Sequence, residues 1–172
     1  MIKIITVPNP ILRKIATSVT AFDGKLRQLL GEMTATLNTS GNPAEGIIGV
    51  GLAGPQIGQS VRIILVRKVS GRGEEGPVIT LINPEIIKAS TIKEFGYEGC
   101  LSVPNTYGSV ERSKWIKVKA YNEKGDAVGF KAVNFFARII QHEIDHLDGI
   151  LFTDKVVGRL FTADELGTVL KE

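Results

Sequence analysis

Apolar residues recur every three or four positions in two parts of the chain, which is the spacing of one face of an α-helix. The first part follows Asp23, a favoured N-cap residue, and ends at the helix-breaking residues 40–43. Its apolar positions are Leu26, Leu29, Leu30, Met33 and Leu37. In the second part, Asn134 is expected to cap a helix over residues 135–147, which Gly149 stops. Apolar side chains surround most of that helix, so we expect it to be buried.

Two shorter helices are expected near the ends of the sequence. Asn9 followed by Pro10 resembles an N-cap and a first helical position, and it predicts a short helix as far as Ile15. A last helix is predicted to begin near Thr162 and to cover residues 164–171.

Strand patterns occupy the region between the long helices. Residues 61–66 form a continuous apolar run typical of a buried strand, and residues 115–121 alternate between apolar and polar. A turn at residues 122–125 predicts a hairpin with residues 127–133. Strands broken at Asn83-Pro84 are expected over 78–82 and 85–89, a polar loop over 68–76, and no regular element over the glycine-rich residues 46–58.

This order of elements predicts the α+β class. Strands in hairpins favour mostly antiparallel β-sheets packed around the central buried helix of residues 135–147, with a C-terminal helix after them. A length of 172 residues fits a single domain over residues 1–172.

Composition excludes several classes of protein. The net charge of +3 comes from interspersed charges, which does not indicate a nucleic-acid partner. No apolar run is long enough to indicate a membrane span, and the first residues resemble neither a signal nor a transit peptide. One cysteine allows no internal disulfide, which favours a reducing compartment, and the expected location is cytoplasmic.

The only two histidines lie four residues apart, in the order His142-Glu143-Ile144-Asp145-His146. On a helix, positions i and i+4 share one face, so both imidazoles can bind a single metal ion. Glu143 is turned by about a quarter of a circle, close to the ion without being a ligand. The alternative is a helix with two ordinary solvated or buried histidines.

Cys100 is the candidate third ligand. It lies beside Gly99 and Ser102 rather than in the centre of an apolar strand, where a cysteine is usually a small buried hydrophobe. One thiolate and two imidazoles around a tetrahedral ion leave one open position, which is typical of a catalytic site. These ligand types suit zinc or iron and do not suit magnesium or calcium.

Three segments, in this order and spacing, closely resemble the motifs of the peptide deformylases. They are Gly49-Val50-Gly51-Leu52-Ala53-Gly54-Pro55-Gln56, Glu98-Gly99-Cys100-Leu101-Ser102 and Gln141-His142-Glu143-Ile144-Asp145-His146. The similarity extends over nearly the whole chain, from Pro8 to Phe152.

The resemblance implies a metal-dependent hydrolase that removes the N-formyl group from the N-terminal methionine of new polypeptides and releases formate. It implies Cys100, His142 and His146 as ligands of one divalent ion, natively Fe(2+), with Zn(2+), Ni(2+) or Co(2+) also able to bind. The implied partners are N-formyl-Met nascent polypeptides and, near its exit tunnel, the ribosome.

The resemblance also implies a mechanism. The ion lowers the pKa of its water, and Glu143 accepts the proton as that water attacks the formyl carbon. The Leu101 backbone N–H and the Gln56 side-chain amide then stabilise the negative oxygen together with the metal. Glu143 finally passes the proton to the departing amine.

The substrate contacts are predicted from the glycine-rich segment and from the helix face that leads to His142. Gly51 is expected to lie against the substrate main chain, and Val50, Phe135 and Ile139 are expected to line the methionine pocket. The alternatives are a tight turn for the glycines and plain core packing for the apolar residues.

Two polar residues, Glu98 and Gln141, are expected to orient the ligands. The chain departs from enterobacterial relatives at Tyr107, where they carry arginine. How the substrate backbone beyond methionine is held is therefore left open.

Two other readings remain open. In a zinc peptidase, Phe152 stands where one class has its third histidine, but Glu165 lies nineteen residues after His146, at the spacing of a glutamate ligand in another class. In a structural metal site, a carboxylate would be the fourth ligand of a metal-stabilised binding module.

Overall fold

The computed structural model describes residues 2–42, 47–69 and 75–169. Its described part contains three α-helices and ten antiparallel strands, a mixed α/β architecture with antiparallel sheets as expected. The helices are α1 (Gly24–Asn38), α2 (Asn134–Leu147) and α3 (Ala163–Val169). The strands are β1 (Gly41–Asn42), β2 (Ile47–Ile48), β3 (Gly51–Ala53), β4 (Ile63–Val69), β5 (Glu75–Ala89), β6 (Lys93–Cys100), β7 (Val103–Ser113), β8 (Trp115–Tyr121), β9 (Ala127–Val133) and β10 (Val156–Phe161).

A five-stranded sheet in the order β3-β4-β5-β8-β9 lies between helices α1 and α2. Strand β4 is apolar at consecutive positions because both of its faces are covered. Ile63 and Leu65 pack with α1, whereas Ile64 and Val66 pack with α2. This explains why residues 61–66 read as a buried strand rather than as an alternating one.

Helix α1 begins where the sequence predicts. The Asp23 side chain accepts a hydrogen bond from the Leu26 N–H at 3.0 Å, which satisfies one of the free donors at the helix start. The helix ends at Asn38, just before the breakers, of which Pro43 lies outside the described residues. Its apolar stripe, including Leu30 and Met33, is buried against the five-stranded sheet.

A three-stranded sheet in the order β10-β7-β6 was not predicted. Its strands do not follow the usual relation between polarity and burial. Val110 is buried, but so are Glu98 and Arg112, whereas Phe95 is 63% exposed. The alternation of apolar and polar residues that predicts a strand is therefore weak here. This sheet nevertheless positions one of the candidate ligands, Cys100, at the end of β6.

Several boundaries differ from expectation. The glycine-rich residues include an edge strand, β3, and a 3-10 turn, Gly54–Ile57, so the expectation of no regular element was wrong. Strand β5 runs through Asn83, whose φ of 51° accompanies a register shift rather than a break. Of the loop expected over 68–76, residues 68 and 69 belong to β4 and residues 75 and 76 to β5, and residues 70–74 lie outside the described residues.

The ends of the helices also differ from expectation. The first short helix is a single 3-10 turn, Pro10–Arg13, with the Asn9 side chain as its cap. Val133, not Asn134, occupies the N-cap position of α2, and no side chain caps it. Helix α3 covers 163–169, and residues 170 and 171 of the predicted helix lie outside the described residues.

Helix α2 lies with one side on the five-stranded sheet and brings residues 142–146 close to strands β3 and β7. After the helix, Gly149 has φ +73°, and a Cβ there would lie 2.5 Å from the Arg13 carbonyl oxygen. The chain therefore leaves α2 at a position that only glycine occupies without strain. No helix among the described residues is long and apolar enough to cross a membrane.

Candidate metal centre

Three potential metal ligands from distant parts of the chain meet beside α2. The Cys100 Sγ and one ring nitrogen each of His142 and His146 all lie within 4.8 Å of one another. The Cys100 Sγ lies 3.2 Å from the His146 Nε2. Strand β6 supplies the sulfur and helix α2 supplies both imidazoles, because positions i and i+4 share one helix face.

The Cys100 sulfur is held by two donors from its surroundings. The Ser102 N–H lies 3.4 Å from Sγ, and the Gln56 Nε2 lies 3.5 Å from it. The other end of the Gln56 amide accepts a hydrogen bond from the Ala53 N–H at 2.8 Å, which fixes the direction of its NH₂ group. Gln56 therefore directs its donors into the centre of the site.

His142 is oriented by Glu98. The His142 Nδ1 lies 2.9 Å from the Glu98 Oε2, so the ring presents its other nitrogen, Nε2, as the ligand atom. Burial by itself would lower the pKa of His142, but its contacts with Cys100 and Glu98 raise it well above the ordinary value. A metal ion competes with the proton that this environment favours, so we expect metal affinity to rise with pH.

The Glu98 carboxylate is itself held by two arginines. Arg112 donates from Nε and from its terminal nitrogen to the two carboxylate oxygens, each at 2.9 Å, and Arg138 donates to Oε1 at 2.8 Å. Burial would raise the pKa of Glu98, but the hydrogen bonds from Arg112 and His142 outweigh burial and hold it well below the ordinary value. Glu98 is therefore an anion at neutral pH.

The network continues to the protein surface through Asp145. Arg112 donates to the Asp145 Oδ2 at 2.5 Å, and Lys155 donates to the Oδ1 at 2.6 Å. Charges therefore alternate from Lys155 through Asp145 and Arg112 to Glu98. Each buried charge has an opposite neighbour, which is the condition under which burial of an ion is tolerated.

Glu143 differs from this network. It is buried, and its Oε2 has no hydrogen-bond partner among the described residues. A Cβ at Gly51 would overlap the Glu143 Oε1, so the carboxylate lies directly against the strand β3 backbone. Burial raises the pKa of Glu143 to about 7, which allows it to accept and donate a proton near neutral pH.

His146 is the third potential ligand and is the most enclosed. Its Nδ1 is buried with no hydrogen-bond partner among the described residues. Burial lowers the pKa of His146 well below 6.5, so the ring is neutral, the form that binds a metal ion.

A cavity of about 640 Å³ opens beside this cluster. Every predicted site residue except His146 lines it. Those residues are Val50, Gly51, Gln56, Cys100, Leu101, Phe135, Ile139, His142 and Glu143. Edge strands β3 and β6 flank it, so the cavity is bordered by backbone from two different sheets.

The other residues singled out from the sequence are placed as follows. Ile139 is 5% exposed and Phe135 is 51% exposed, so only the second stands at an open rim. Tyr107 lies with its ring against Gly99, where a Cβ would come within 2.6 Å of the ring, and it also lines the cavity. Gln141 contacts no ligand: its amide pairs with the Ser113 backbone N–H and carbonyl, at 3.1 and 3.0 Å.

Glu165, the third ligand in the peptidase alternative, does not belong to the ligand cluster. It is exposed at the start of α3, where it accepts a hydrogen bond from the Thr162 N–H at 2.8 Å and pairs with Arg159 at 2.9 Å. The ligand-type cluster in the described residues contains Cys100 instead. Thr162 and Glu165 pair reciprocally as a capping box, since the Glu165 N–H also donates to the Thr162 hydroxyl, at 3.4 Å.

The sequence did not predict that Arg112, Arg138 and Asp145 belong to the site. Arg112 lies on a strand without a chemical motif. Arg138 lies on α2 four residues before His142, outside the histidine motif, and an arginine that pairs with distant groups has no local signature. Asp145 was visible between the histidines, but its partners Arg112 and Lys155 are 33 and 10 residues away. Only long-range pairing identifies this network.

The donor set fits a divalent transition-metal ion. One thiolate and two imidazoles are the ligands that zinc and iron accept, and one of the rings is already fixed by a carboxylate. The unpartnered Glu143 Oε2 lies buried beside them, where a ligand of the ion would give it a partner.

Comparison with known proteins gives a consistent result. A family model described as polypeptide deformylase matches residues 1–160. Peptide deformylase 1 of Bacillus subtilis is 44% identical over 164 residues, which is 95% of this chain and 94% of the relative. A peptide deformylase of Desulforudis audaxviator is 43% identical over 153 residues, 89% of this chain and 92% of the relative.

Solved structures of similar proteins agree with the fold. A class I type b peptide deformylase from Acinetobacter baumannii, bound to Met-Ala-Ser, aligns with a TM-score of 0.80 and 37% identity, covering 91% of this chain and 98% of that one. A peptide deformylase from Thermotoga maritima aligns with a TM-score of 0.80 and 37% identity, covering 92% and 99%.

Proposed function

This chain belongs to the peptide deformylase family, and we propose that Cys100, His142 and His146 bind its catalytic metal ion while Glu143 moves the proton. The family removes the N-formyl group from newly made polypeptides, and the chain is an enzyme of that class. The observation that carries the assignment of residues is the convergence of one sulfur and two ring nitrogens within 4.8 Å, together with the buried Glu143, whose Oε2 has no hydrogen-bond partner among the described residues.

The bound ion supplies Lewis acidity, which makes water a nucleophile at neutral pH and polarises the formyl carbonyl. The protein contributes the proton transfer. Glu143, with its pKa raised to about 7, accepts the proton of the attacking water and then delivers it to the departing amine nitrogen. Cleavage of the C–N bond then leaves formate and the free α-amino terminus of the peptide.

Two donors stabilise the charge that develops on the formyl oxygen. The Gln56 amide directs its NH₂ group into the site because its carbonyl is occupied by the Ala53 N–H. The Leu101 backbone N–H lies in the turn that follows Cys100, beside the same cavity. Each such donor contributes about 3 kcal/mol to lowering a barrier of this kind.

The substrate chain lies between the edges of strands β3 and β6. Both edges border the cavity, so an extended peptide gains backbone hydrogen bonds by adding itself as a strand. Gly51 permits close approach of the substrate, and Val50 and Ile139 form the methionine pocket with Phe135 at its rim. The Met-Ala-Ser complex of the Acinetobacter relative supports this class of ligand.

We propose Fe(2+) as the native ion, with Zn(2+), Ni(2+) or Co(2+) able to occupy the same site. The thiolate and imidazole donors support all of these ions and disfavour magnesium and calcium. The substrate places the enzyme where polypeptides are made, so we propose a cytoplasmic location, the ribosome near its exit tunnel as a partner, and one catalytic domain over residues 1–172.

The decisive experiment is metal analysis of protein purified without oxygen, with a formate-release assay on the same sample. We expect one equivalent of a divalent transition metal and hydrolysis of N-formyl-Met peptides. N-acetyl-Met peptides should be cleaved far more slowly, because the extra methyl group crowds the space between the ion and the donors. Equal rates on both substrates would indicate a broader amidase instead.

Two single variants distinguish this proposal from the peptidase alternative. Cys100→Ser should lose most of its metal, whereas Glu165→Ala should retain it, because Glu165 belongs to the cap of α3. The reverse result would assign the third ligand to Glu165 and contradict the deformylase assignment of the site.

A further inference from the structure

We propose that Arg138 is a positioning residue of the active site, which joins the helix that carries the histidines to the strand that carries the cysteine. This inference rests on the proposed function of Cys100, His142 and His146. Arg138 lies on α2, one turn before His142, and its side chain points away from the five-stranded sheet toward strands β6 and β7.

The terminal nitrogens of Arg138 donate to four acceptors on the opposite hairpin. It donates to the backbone carbonyls of Glu94 at 2.7 Å, Val110 at 2.9 Å and Gly96 at 3.3 Å, and to the Glu98 carboxylate at 2.8 Å. Its side chain is 11% exposed. One side chain therefore satisfies backbone groups on both β6 and β7 while it also contacts the carboxylate that orients His142.

The hairpin is shaped to receive this group. At Gly96, a Cβ would lie 2.8 Å from the Arg138 Cζ and 2.9 Å from a terminal nitrogen. The absence of a side chain there lets the guanidinium lie flat against the strand. Lysine could not reproduce the contact, because it is a single point charge whereas arginine is a planar fork of donors.

The contacts of Arg138 lie close to the metal ligands on both elements. Cys100 is four residues beyond Gly96 on β6, and His142 is four residues beyond Arg138 on α2. The contacts of Arg138 therefore set the distance between β6 and α2 at positions four residues before Cys100 and His142. Arg112 on β7 also joins Glu98 to α2, but it does so through the carboxylate of Asp145, whereas Arg138 donates directly to backbone carbonyls of β6 and β7.

The test measures metal affinity by competition with a chelator, for Zn(2+) and for Co(2+), on wild-type protein and on Arg138→Met and Arg138→Lys. We expect the dissociation constant to rise about tenfold or more in Arg138→Met, the range found when a group that orients a ligand is removed. Arg138→Lys keeps the charge and should recover only part of that loss. Lys119→Met, which removes an exposed ion pair with Glu85 and the same unit of charge, is the control and should bind like wild type.

Spectroscopy separates positioning from loss of a ligand. The Co(2+) form of Arg138→Met should keep its sulfur-to-metal absorption band while the ligand-field bands shift, because Cys100 remains bound in altered geometry. Folded Arg138→Met with wild-type metal affinity and an unchanged cobalt spectrum would overturn the proposal. If Arg138→Met does not fold, wild-type affinity in Arg138→Lys would overturn it equally. Failure of the proposed function would instead appear as wild-type protein that binds no metal.

Discussion

Helix α2 presents two neighbouring residues to very different surroundings. His142 is turned toward a network in which Glu98, Arg112 and Arg138 satisfy one another, and its Nδ1 has a partner at 2.9 Å. Glu143 is turned toward the β3 backbone, and its Oε2 has no partner among the described residues. His142 is therefore fixed by paired charges, whereas one oxygen of the buried Glu143 carboxylate has no hydrogen-bond partner among the described residues.

These surroundings suit Glu98 to orient a metal ligand and Glu143 to transfer a proton. A carboxylate held by arginines has a pKa well below its ordinary value and keeps its charge, which suits a group that orients a ligand. A carboxylate buried without such donors has its pKa raised to about 7 and exchanges protons easily. The same residue type, Glu, therefore serves two purposes at Glu98 and Glu143 because their neighbours differ.

The largest effect is expected from Glu143→Ala. Formate release should fall by about 10³-fold or more, since the proton carrier is removed and no other group lies in its place. Metal content should stay at the wild-type level because Glu143 is not a ligand. The measurement is turnover of metal-loaded protein, with Glu165→Ala as the control that retains full activity. Wild-type turnover in Glu143→Ala would remove this residue from the mechanism.

A smaller loss is expected from Gly51→Ala, which acts on Glu143 from the opposite side. The new methyl group would overlap the Glu143 Oε1 and displace the carboxylate, so we expect kcat to fall by about 10²-fold with metal retained. Gly31→Ala is the matched control, because nothing lies within 4 Å of a Cβ there. Equal activity in both variants would show that Glu143 does not need this exact position.

Glu98→Gln should disrupt the charge network that orients His142. The buried Arg112 and the partly buried Arg138 lose their common anion, so the free energy of unfolding should fall by about 3 kcal/mol. Metal affinity should fall about tenfold as His142 loses its partner. Denaturant unfolding and chelator competition measure the two effects. Glu85→Gln, in an exposed pair with Lys119, should change stability by less than about 1 kcal/mol.

The pH dependence sharpens the same point. Because the pKa of Glu98 is lower in the folded protein than in the unfolded chain, its stabilising contribution is complete above about pH 5 and is lost as the pH falls toward the folded pKa. In metal-free protein, the difference in unfolding free energy between wild type and Glu98→Gln should shrink as the pH falls below about pH 4. A difference independent of pH would mean that Glu98 is not held as an anion.

The smallest effects are expected at the rim of the cavity. Phe135→Val should change the free energy of unfolding by less than about 0.5 kcal/mol, because Phe135 is half exposed. Ile139→Val should cost about 1 kcal/mol, because Ile139 is buried in the core. If Phe135 contacts the substrate, its variant should raise KM and leave kcat unchanged. An unchanged KM would assign Phe135 to the surface alone.

Regular patterns made part of the fold predictable. Trp115–Tyr121 and Ala127–Val133 have the predicted bounds because they alternate between a buried and an exposed face. Strands β6 and β7 were missed because polar residues face inward there and aromatic residues face outward. The inward-facing polar residues that made this sheet hard to predict, Glu98 and Arg112, are also those that form the charge network.

The candidate site was predictable where it depends on spacing within one element. His142, Glu143 and His146 are related by the helix repeat, and Cys100 and Gln56 lie in short motifs that resemble a known family. Arg112 and Arg138 were not predictable, because their meaning depends on partners that are distant in sequence.

By itself, the sequence determined which chemistry is present: one thiol, two imidazoles and a glutamate at helical spacing, because local periodicity follows from the geometry of one helix. The tertiary structure alone decided which glutamate keeps its charge and which exchanges a proton. Burial and neighbouring charges set a pKa, and both arise only when strands β3, β6 and β7 are packed against α2.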